Sequence, residues 1–471
     1  MAQEDRIDLC IIGAGPAGIA AAEHARRQGA RVVLIEAGEI GGVSHNWGTL
    51  PAQALAASAA RAHAIRTARD VGLDALDPRI NIGRVNAHLR AVIETAGLDI
   101  SSQRLAAQGI EVLKGRARFV SPHALEAGGR TIRARRFLIA TGSRPLVPDI
   151  PGAAQSGYLT PETIFEITRR PAHLLVVGAG ATGLALAQAH LRLGCAVTVI
   201  DMLDPLVGHD PELVEAVMRR LQGEGMEIHA NTGVVSIARD GDEIALEIKS
   251  GANEARLLGS HLLFATGRSP DFDDLGLDAA KVHSEGPALV LKRGGRTSNP
   301  RIWAAGDAAA TWGAHAARHG AISAVEDMFG RANRRSLVPV LVHTDPQIAS
   351  VGLEEREARA RYRDRLGIYR TGLGQTDAAR AAGQTHGHLK VLTDPRGRLV
   401  GAALVGPHAA ELITVLALAI TQNLTLADLG QMVVPHPAHA QAIVNLAQVH
   451  GEAKPRSAQP AWLTRVKRLL P

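Results

Sequence analysis

Residues 7–36 carry the reading on which the rest of the chain hangs. They run Ile7-Asp8-Leu9-Cys10-Ile11-Ile12, then Gly13-Ala14-Gly15-Pro16-Ala17-Gly18, an alanine-rich run over 19–28, Gly29, Arg31-Val32-Val33-Leu34-Ile35 and Glu36. The first apolar run has a single polar residue, Asp8, which predicts a strand covered on both faces. The second predicts its parallel neighbour, and the alanine-rich run between them predicts a helix closed by Gly29. This is a dinucleotide fingerprint in the context it requires. Gly13 makes the turn, Gly15 lets a pyrophosphate approach backbone N–H groups, and Gly18 lets helix and strand pack. Glu36 ends the unit with a carboxylate suited to a ribose diol.

The unit recurs. A strand over 174–177 leads into Gly178-Ala179-Gly180-Ala181-Thr182-Gly183, a helix to Leu193, Gly194, a strand over 197–200, and Asp201. The acid stands 23 residues beyond the first glycine in both copies (36 − 13 and 201 − 178). Each copy is followed later by a related turn, Ala140-Thr141-Gly142-Ser143-Arg144-Pro145 and Ala265-Thr266-Gly267-Arg268-Ser269-Pro270. Such a repeat implies two dinucleotide-binding regions in one chain, hence electron transfer between two cofactors. Asp201 suits a free ribose 2′-hydroxyl and opposes a 2′-phosphate. Residues 202–210 hold no Arg or Lys, so NAD is expected over NADP.

Bulk properties agree. The 471 residues suffice for about three domains. A hydrophobic content of 46% with 21% charged residues is that of a soluble globular chain, and the apolar run over 412–420 is too short to span a bilayer. Residues 1–6 show no secretory signal, so a cytoplasmic setting is expected. Two cysteines, Cys10 in the first strand and Cys195 before another, read as core packing in a reducing compartment. The formal charge of +6 comes with dispersed arginines and 3% aromatics, which argues against nucleic acid.

Between the two repeats lies Gly41-Gly42-Val43-Ser44-His45-Asn46-Trp47-Gly48-Thr49-Leu50-Pro51-Ala52-Gln53. It resembles the redox-active segment of the pyridine nucleotide-disulfide oxidoreductases, the family of dihydrolipoamide dehydrogenase, mercuric reductase and soluble transhydrogenase. Their pattern is G-G-x-C-x-N-x-G-C-x-P-S-K. Gly41, Gly42, Asn46, Gly48 and Pro51 match; the cysteines are replaced by Ser44 and Thr49, and the lysine by Gln53. Ile302-Trp303-Ala304-Ala305-Gly306-Asp307-Ala308 resembles the second flavin motif, whose aspartate holds the ribityl chain. The stretch 344–352, Gly387-His388-Leu389-Lys390 and the stretch 401–406 resemble the dimer-interface domain. His436-Pro437-Ala438-His439-Ala440-Gln441 resembles the terminal H-P-T-x-x-E, with Gln441 in place of the glutamate that orients the histidine.

The resemblance implies an α/β fold: two Rossmann-like regions, the first split by the second, and a C-terminal α+β dimerisation domain. The expected boundaries are 1–152 with 270–338 for FAD, 153–269 for NAD(P), 339–450 for dimerisation, and 451–471 as a basic amphipathic tail. FAD is expected at Gly13, Gly15, Ala17, Gly18, Glu36, Gly42, Thr49, Gln53, Ala117, Thr141, Gly142, Gly306 and Asp307. The nicotinamide nucleotide is expected at Gly178, Gly180, Gly183, Asp201 and Gly267. Thr49 is expected at the ring, with His436 and Gln441 as a proton-donating pair. A homodimer is expected. Trp462, Val466, Leu469 and Leu470 share one face of the tail, which implies a peripheral membrane or protein contact.

The departures bear on chemistry. Hydroxyls form neither disulfide nor thiolate near neutral pH. Ala185 stands where the family has the glutamate that pairs with the missing lysine, and Ala181 where it has the tyrosine lid. Removing both members of the ion pair strands no charge. Three outcomes stay open: an NAD(P)H oxidoreductase passing electrons from FAD straight to a small acceptor such as a quinone, a soluble transhydrogenase (supported by Trp47-Gly48-Thr49), and a flavin-bound assembly protein without turnover.

Overall fold

A computed structural model describes residues 7–331 and 337–451. The chain divides into two compact units. One takes the described residues up to Val207 and resumes at Leu221; the other takes Gly208–Arg220 and the described residues from 337 onward. The expected tail, from 452 on, lies outside the described residues.

In the first unit, β1 (Ile7–Ile12), α1 (Pro16–Arg27) and β2 (Val32–Glu36) form as the sequence predicts, with α1 starting three residues early at Pro16. Proline suits the first helical turn because its missing N–H would have had no partner there. The parallel part of the sheet runs Glu111–Lys114, β2, β1, Arg130–Ile139, Ile302–Ala304. Leu9, Cys10 and Ile11 are fully buried. The strand Arg130–Ile139 reads in two registers. Its first part alternates exposed and buried residues and pairs antiparallel with Ala124–Ala127; its end, Phe137-Leu138-Ile139, is wholly buried between parallel neighbours. The alanines explain the next layer. Ala17, Ala21 and Ala25 of α1 and Ala317, Ala321 and Ala324 of helix Ala314–Met328 share one core, and side chains this small let the two helices approach closely.

The second repeat builds a parallel sheet in the order Glu227–His229, Ala196–Ile200, His173–Val177, His261–Phe264, with helix Ala181–Arg192 after its first strand. A separate antiparallel sheet, Gly233–Asp240, Glu243–Ser250, Asn253–Gly259, follows. The chain enters this region through strand Ser143–Pro145 and leaves through Arg268–Pro270, and these two strands pair antiparallel. In both parallel sheets the strand order reverses at the first strand of the repeat, so Gly13 and Gly178 stand at the carboxyl-end switch points where such sheets take ligands.

The second unit holds a five-stranded antiparallel sheet: Val340–Val342, Gln347–Gly352, Leu399–Gly406, His388–Thr393, Gly367–Gly372. Helix Ala409–Thr421 buries Leu412, Ile413, Leu416 and Ala419, which accounts for the apolar run over 412–420. Lys390 of the sheet is 3% exposed, yet its ammonium lies 2.6 Å from Asp210, 2.8 Å from Glu212 and 2.9 Å from Glu355. Arg370 completes the group with two bonds to Glu212, at 2.6 and 2.9 Å. The bond from Arg370 and the nearby Lys390 hold Glu212 at about 2, far below its ordinary value.

Two expectations follow from this network. Lys390→Met keeps the length of the side chain and removes the cation from Asp210, while Glu212 and Glu355 keep their bonds to Arg370. It should lower thermal stability by roughly 3 kcal/mol, the low end for breaking a buried pair, because the carboxylates retain contact with water. The depressed Glu212 contributes stability that is complete above its ordinary value of 4.5 and is lost as pH falls toward about 2. Melting temperature followed by circular dichroism should fall over that acidic window in the native chain, and by less in Glu212→Gln.

Candidate functional site

The two fingerprint turns have the same geometry. A Cβ on Gly13, which sits at φ +103°, would meet the Ala140 carbonyl oxygen at 2.2 Å, and one on Gly18 would meet the Gly13 carbonyl oxygen at 1.8 Å. Gly15 faces open space. Gly178, Gly183 and Gly180 repeat this pattern, with would-be contacts at 2.4 Å to the Ala265 oxygen and 2.0 Å to the Gly178 oxygen, and open space at Gly180. In each turn, therefore, two glycines close the strand–helix junction and the third leaves room for a ligand. The terminal acids repeat too. Glu36 accepts from the backbone N–H of Ala14 and of Gly38, both at 2.6 Å. Asp201 accepts from Ala179 at 2.6 Å and Leu203 at 2.9 Å. Each carboxylate is held across the mouth of its turn with lone pairs left over for a ribose.

Other segments close on the first turn. Gly41 N–H donates to the Ala14 carbonyl at 2.8 Å. A Cβ on Gly42 would lie 3.0 Å from the Gly15 Cα, and one on Gly306 would lie 3.0 Å from the Ala17 Cβ. Thr141 Oγ1 is buried without a hydrogen-bond partner, an orphan that a bound ligand would satisfy. A cavity of about 530 Å³ opens beside Glu36, lined also by Gly38, His45, Asn46 and Lys114. Ala117, half-buried, packs on the core cluster that contains Phe119 and Phe137. A cradle made of backbone around Gly15, an unsatisfied hydroxyl and an adjoining cavity fit a bound dinucleotide.

Asp307 is reached through residues that the sequence reading did not single out. Its Oδ2 accepts from Ser143 Oγ at 2.6 Å. Arg268 Nε donates to the same Oγ at 2.7 Å, and Arg268 Nη2 donates to the Ser143 carbonyl at 2.7 Å and to Glu162 at 2.6 Å. The available signal was the repeated turn itself: Ser143 and Arg268 each follow the Ala-Thr-Gly of their copy. Gly267, expected at the second nucleotide, accepts from Leu146 N–H through its carbonyl at 3.0 Å and so helps hold the same strand pair.

The segment with the altered cysteine positions forms α2 (Gly42–Asn46) and α3 (Thr49–Arg66). Asn46 fastens α2 by donating to the carbonyls of Ile40 (3.1 Å) and Gly42 (3.0 Å). Ser44 lies half-buried on α2, whereas Thr49 is exposed and opens α3; Gln53 is half-buried one turn further on. α3 packs against helix Ala181–Arg192, the carrier of Ala181 and Ala185. The chain's two thiols lie in other places: Cys10 is fully buried in β1 and Cys195 is 3% exposed. Burial raises both, Cys195 to about 11.

Within the second unit the expected pairing of His436 with Gln441 is not made. Gln441 sits at the start of helix Gln441–Gly451 and donates to Asn445 one turn on, at 3.0 Å. The carboxylate near His436 is that of Asp377, at 3.7 Å, both side chains being largely exposed. A spacing of four residues on a helix satisfies the amide locally, which removes it from the histidine. His439, unmatched in the sequence reading, lies against the ring of His408 with centroids 5.0 Å apart.

Comparison with known proteins agrees with this arrangement. Residues 7–326 match the family described as pyridine nucleotide-disulphide oxidoreductase, and residues 338–447 match that family's dimerisation domain. Dihydrolipoyl dehydrogenase of Thermus scotoductus is 34% identical over 465 residues, covering 95% of this chain and 98% of its own. Mercuric reductase of Streptomyces lividans is 33% identical over 456 residues, covering 94% and 95%. Among solved structures, LpdA from Mycobacterium tuberculosis superposes with a TM-score of 0.85 at 25% identity, covering 94% of this chain and all of that one. No helix among the described residues is long and apolar enough to cross a membrane. With both nucleotide regions and the dimerisation region matched in order, the chain belongs to the pyridine nucleotide-disulphide oxidoreductase family, whose members are FAD-dependent oxidoreductases.

Proposed function

We propose that this protein is a dimeric NADH oxidoreductase that hands electrons from FAD directly to a small acceptor of the quinone class, with no dithiol step. The carrying observation is the pair Ser44 and Thr49 at the family's cysteine positions, with both cysteines of the chain buried in strands or at their edges. FAD, when bound, supplies the two-electron chemistry that links nicotinamide to acceptor.

The chain's own residues then have defined tasks. Gly15, beside Gly42, brings backbone against the flavin pyrophosphate while Gly13 and Gly18 close the turn and Gly306 packs on Ala17, Glu36 takes the ribose, and Asp307 takes the ribityl chain. Gly180 does the same for NADH, with Gly178 and Gly183 closing its turn. Asp201 offers its remaining lone pairs to the ribose 2′-hydroxyl, and the lack of Lys or Arg over 202–210 leaves a 2′-phosphate without a counter-charge. Gln53 and Ala185 leave the ring edge without the usual ion pair, and Ala181 leaves one face without an aromatic lid. Thr49 offers a hydroxyl in place of a thiol. As the family resemblance implies, the His436 that serves a given flavin belongs to the other subunit of the dimer, and it delivers a proton to the acceptor as the acceptor is reduced. The balance is NADH, one proton and quinone giving NAD⁺ and hydroquinone.

The test is an anaerobic titration of the yellow protein with NADH, followed by quinone. Absorbance near ~450 nm, the usual flavin band, should bleach without a thiolate charge-transfer band, and quinone should restore it. No bleaching with either nicotinamide nucleotide would sink the reading, and recovery by a nicotinamide analogue alone would replace it with transhydrogenation. NADH should be favoured over NADPH, and Asp201→Ala should narrow the preference about tenfold in KM. His436→Ala should slow quinone turnover on the order of 100-fold while leaving the rate of flavin reduction by NADH unchanged.

A further inference from the structure

The contact between the two repeated turns goes beyond holding them together. Ser143 opens the strand by which the chain enters the second nucleotide region, and Arg268 opens the antiparallel strand by which it leaves. The chemistry of the groups fixes the direction of the relay. A carboxylate only accepts, so Ser143 spends its single proton on Asp307 Oδ2. A guanidinium only donates, so Ser143 Oγ accepts from Arg268 Nε, while Nη2 holds the serine's own carbonyl. Glu162, inside the second region, takes Nη2 and sets the plane of the guanidinium. Ser143 is 7% exposed, so bulk water does not substitute for these bonds. The result is a chain of donors that ends on Asp307 Oδ2 and holds that carboxylate in place.

We propose that Arg268, oriented by Glu162, is a positioning residue for FAD: it holds Ser143, which holds Asp307, and it thereby couples flavin binding to closure of the strand pair that bounds residues 146–267. The inference rests on FAD occupancy and on Asp307 contacting it, not on the identity of the acceptor. Coupling of this kind is reciprocal: whatever Arg268 contributes to FAD affinity, FAD returns as protection of the strand pair. Lysine does not replace it, because a single ammonium lacks the planar fork that meets Oγ, carbonyl and carboxylate together.

The experiment measures FAD dissociation from the full-length protein by recovery of free-flavin fluorescence, beside amide exchange of residues 143–145 and 268–270 with and without FAD. Arg268→Met and Ser143→Ala should each raise the FAD dissociation constant about tenfold, and the double variant should be little worse than either, as members of one relay are. Ser143→Thr, which keeps the hydroxyl, should restore affinity. FAD should slow exchange of the strand pair in the native chain and not in Arg268→Met. Should Arg268→Met melt early, Ser143→Ala, lacking only one hydroxyl, carries the same readout. Native FAD affinity in Arg268→Met or Ser143→Ala, with affinity lost in Asp307→Ala, would overturn the proposal. Native affinity in Asp307→Ala would overturn it too, by removing Asp307 from the flavin site, while leaving electron transfer from NADH to be judged on its own.

Discussion

Two backbone contacts set the terms for the whole chain: the approach of Gly18 to the Gly13 carbonyl, and its counterpart between Gly183 and Gly178. At would-be Cβ distances of 1.8 and 2.0 Å, no side chain fits at either place. That closeness lets a helix start directly from the end of a buried strand, which points its unpaired N–H groups at the space beside Gly15 and Gly180. The strand order, the acid at the end of the second strand and the alanine-faced helices all serve to keep that junction in place. Once it exists twice, the chain has two junctions of the kind that take a dinucleotide, and the residues around them set what each site meets.

At that next step the molecule parts from its relatives' pattern in a coherent way. On the resemblance described above, Ser44 and Thr49 would stand at the thiol positions, and Gln53 and Ala185 at the ion-pair positions, the latter two on helices that pack together. Deleting one charge of a buried pair is costly, whereas deleting both leaves a neutral contact. On the proposed function the flanks of the flavin site would hold hydroxyl, amide and methyl groups. Such a surface binds a flat, neutral, weakly polar molecule more readily than a charged one.

Legibility in the sequence follows the range of the interaction. The fingerprint turns, the parallel strands and the alanine helices were readable because each is local and periodic. The relay through Ser143 and Arg268 was not, although both turns were quoted, because 125 residues separate the partners and no local pattern reports that one turn touches the other. Lys390 was visible only as part of a resemblance; hydropathy places lysine at the surface, and only the fold brings Asp210, Glu212 and Glu355 around it. Gln441 shows that even a local pairing can go unread: Asn445, one helical turn on, takes its amide N–H, although His436 lies only five residues before it.

The placement of the two cysteines has a consequence for the setting in which the protein works. Alkylating agents and peroxides attack thiolate, so a cysteine's exposure and acidity set its vulnerability. Here Cys10 is sealed inside the first sheet, and Cys195, 3% exposed, is pushed up to about 11. Near neutral pH neither presents thiolate to solvent. On the proposed function, flavin chemistry on this scaffold would be disconnected from the poise of the surrounding thiol pool.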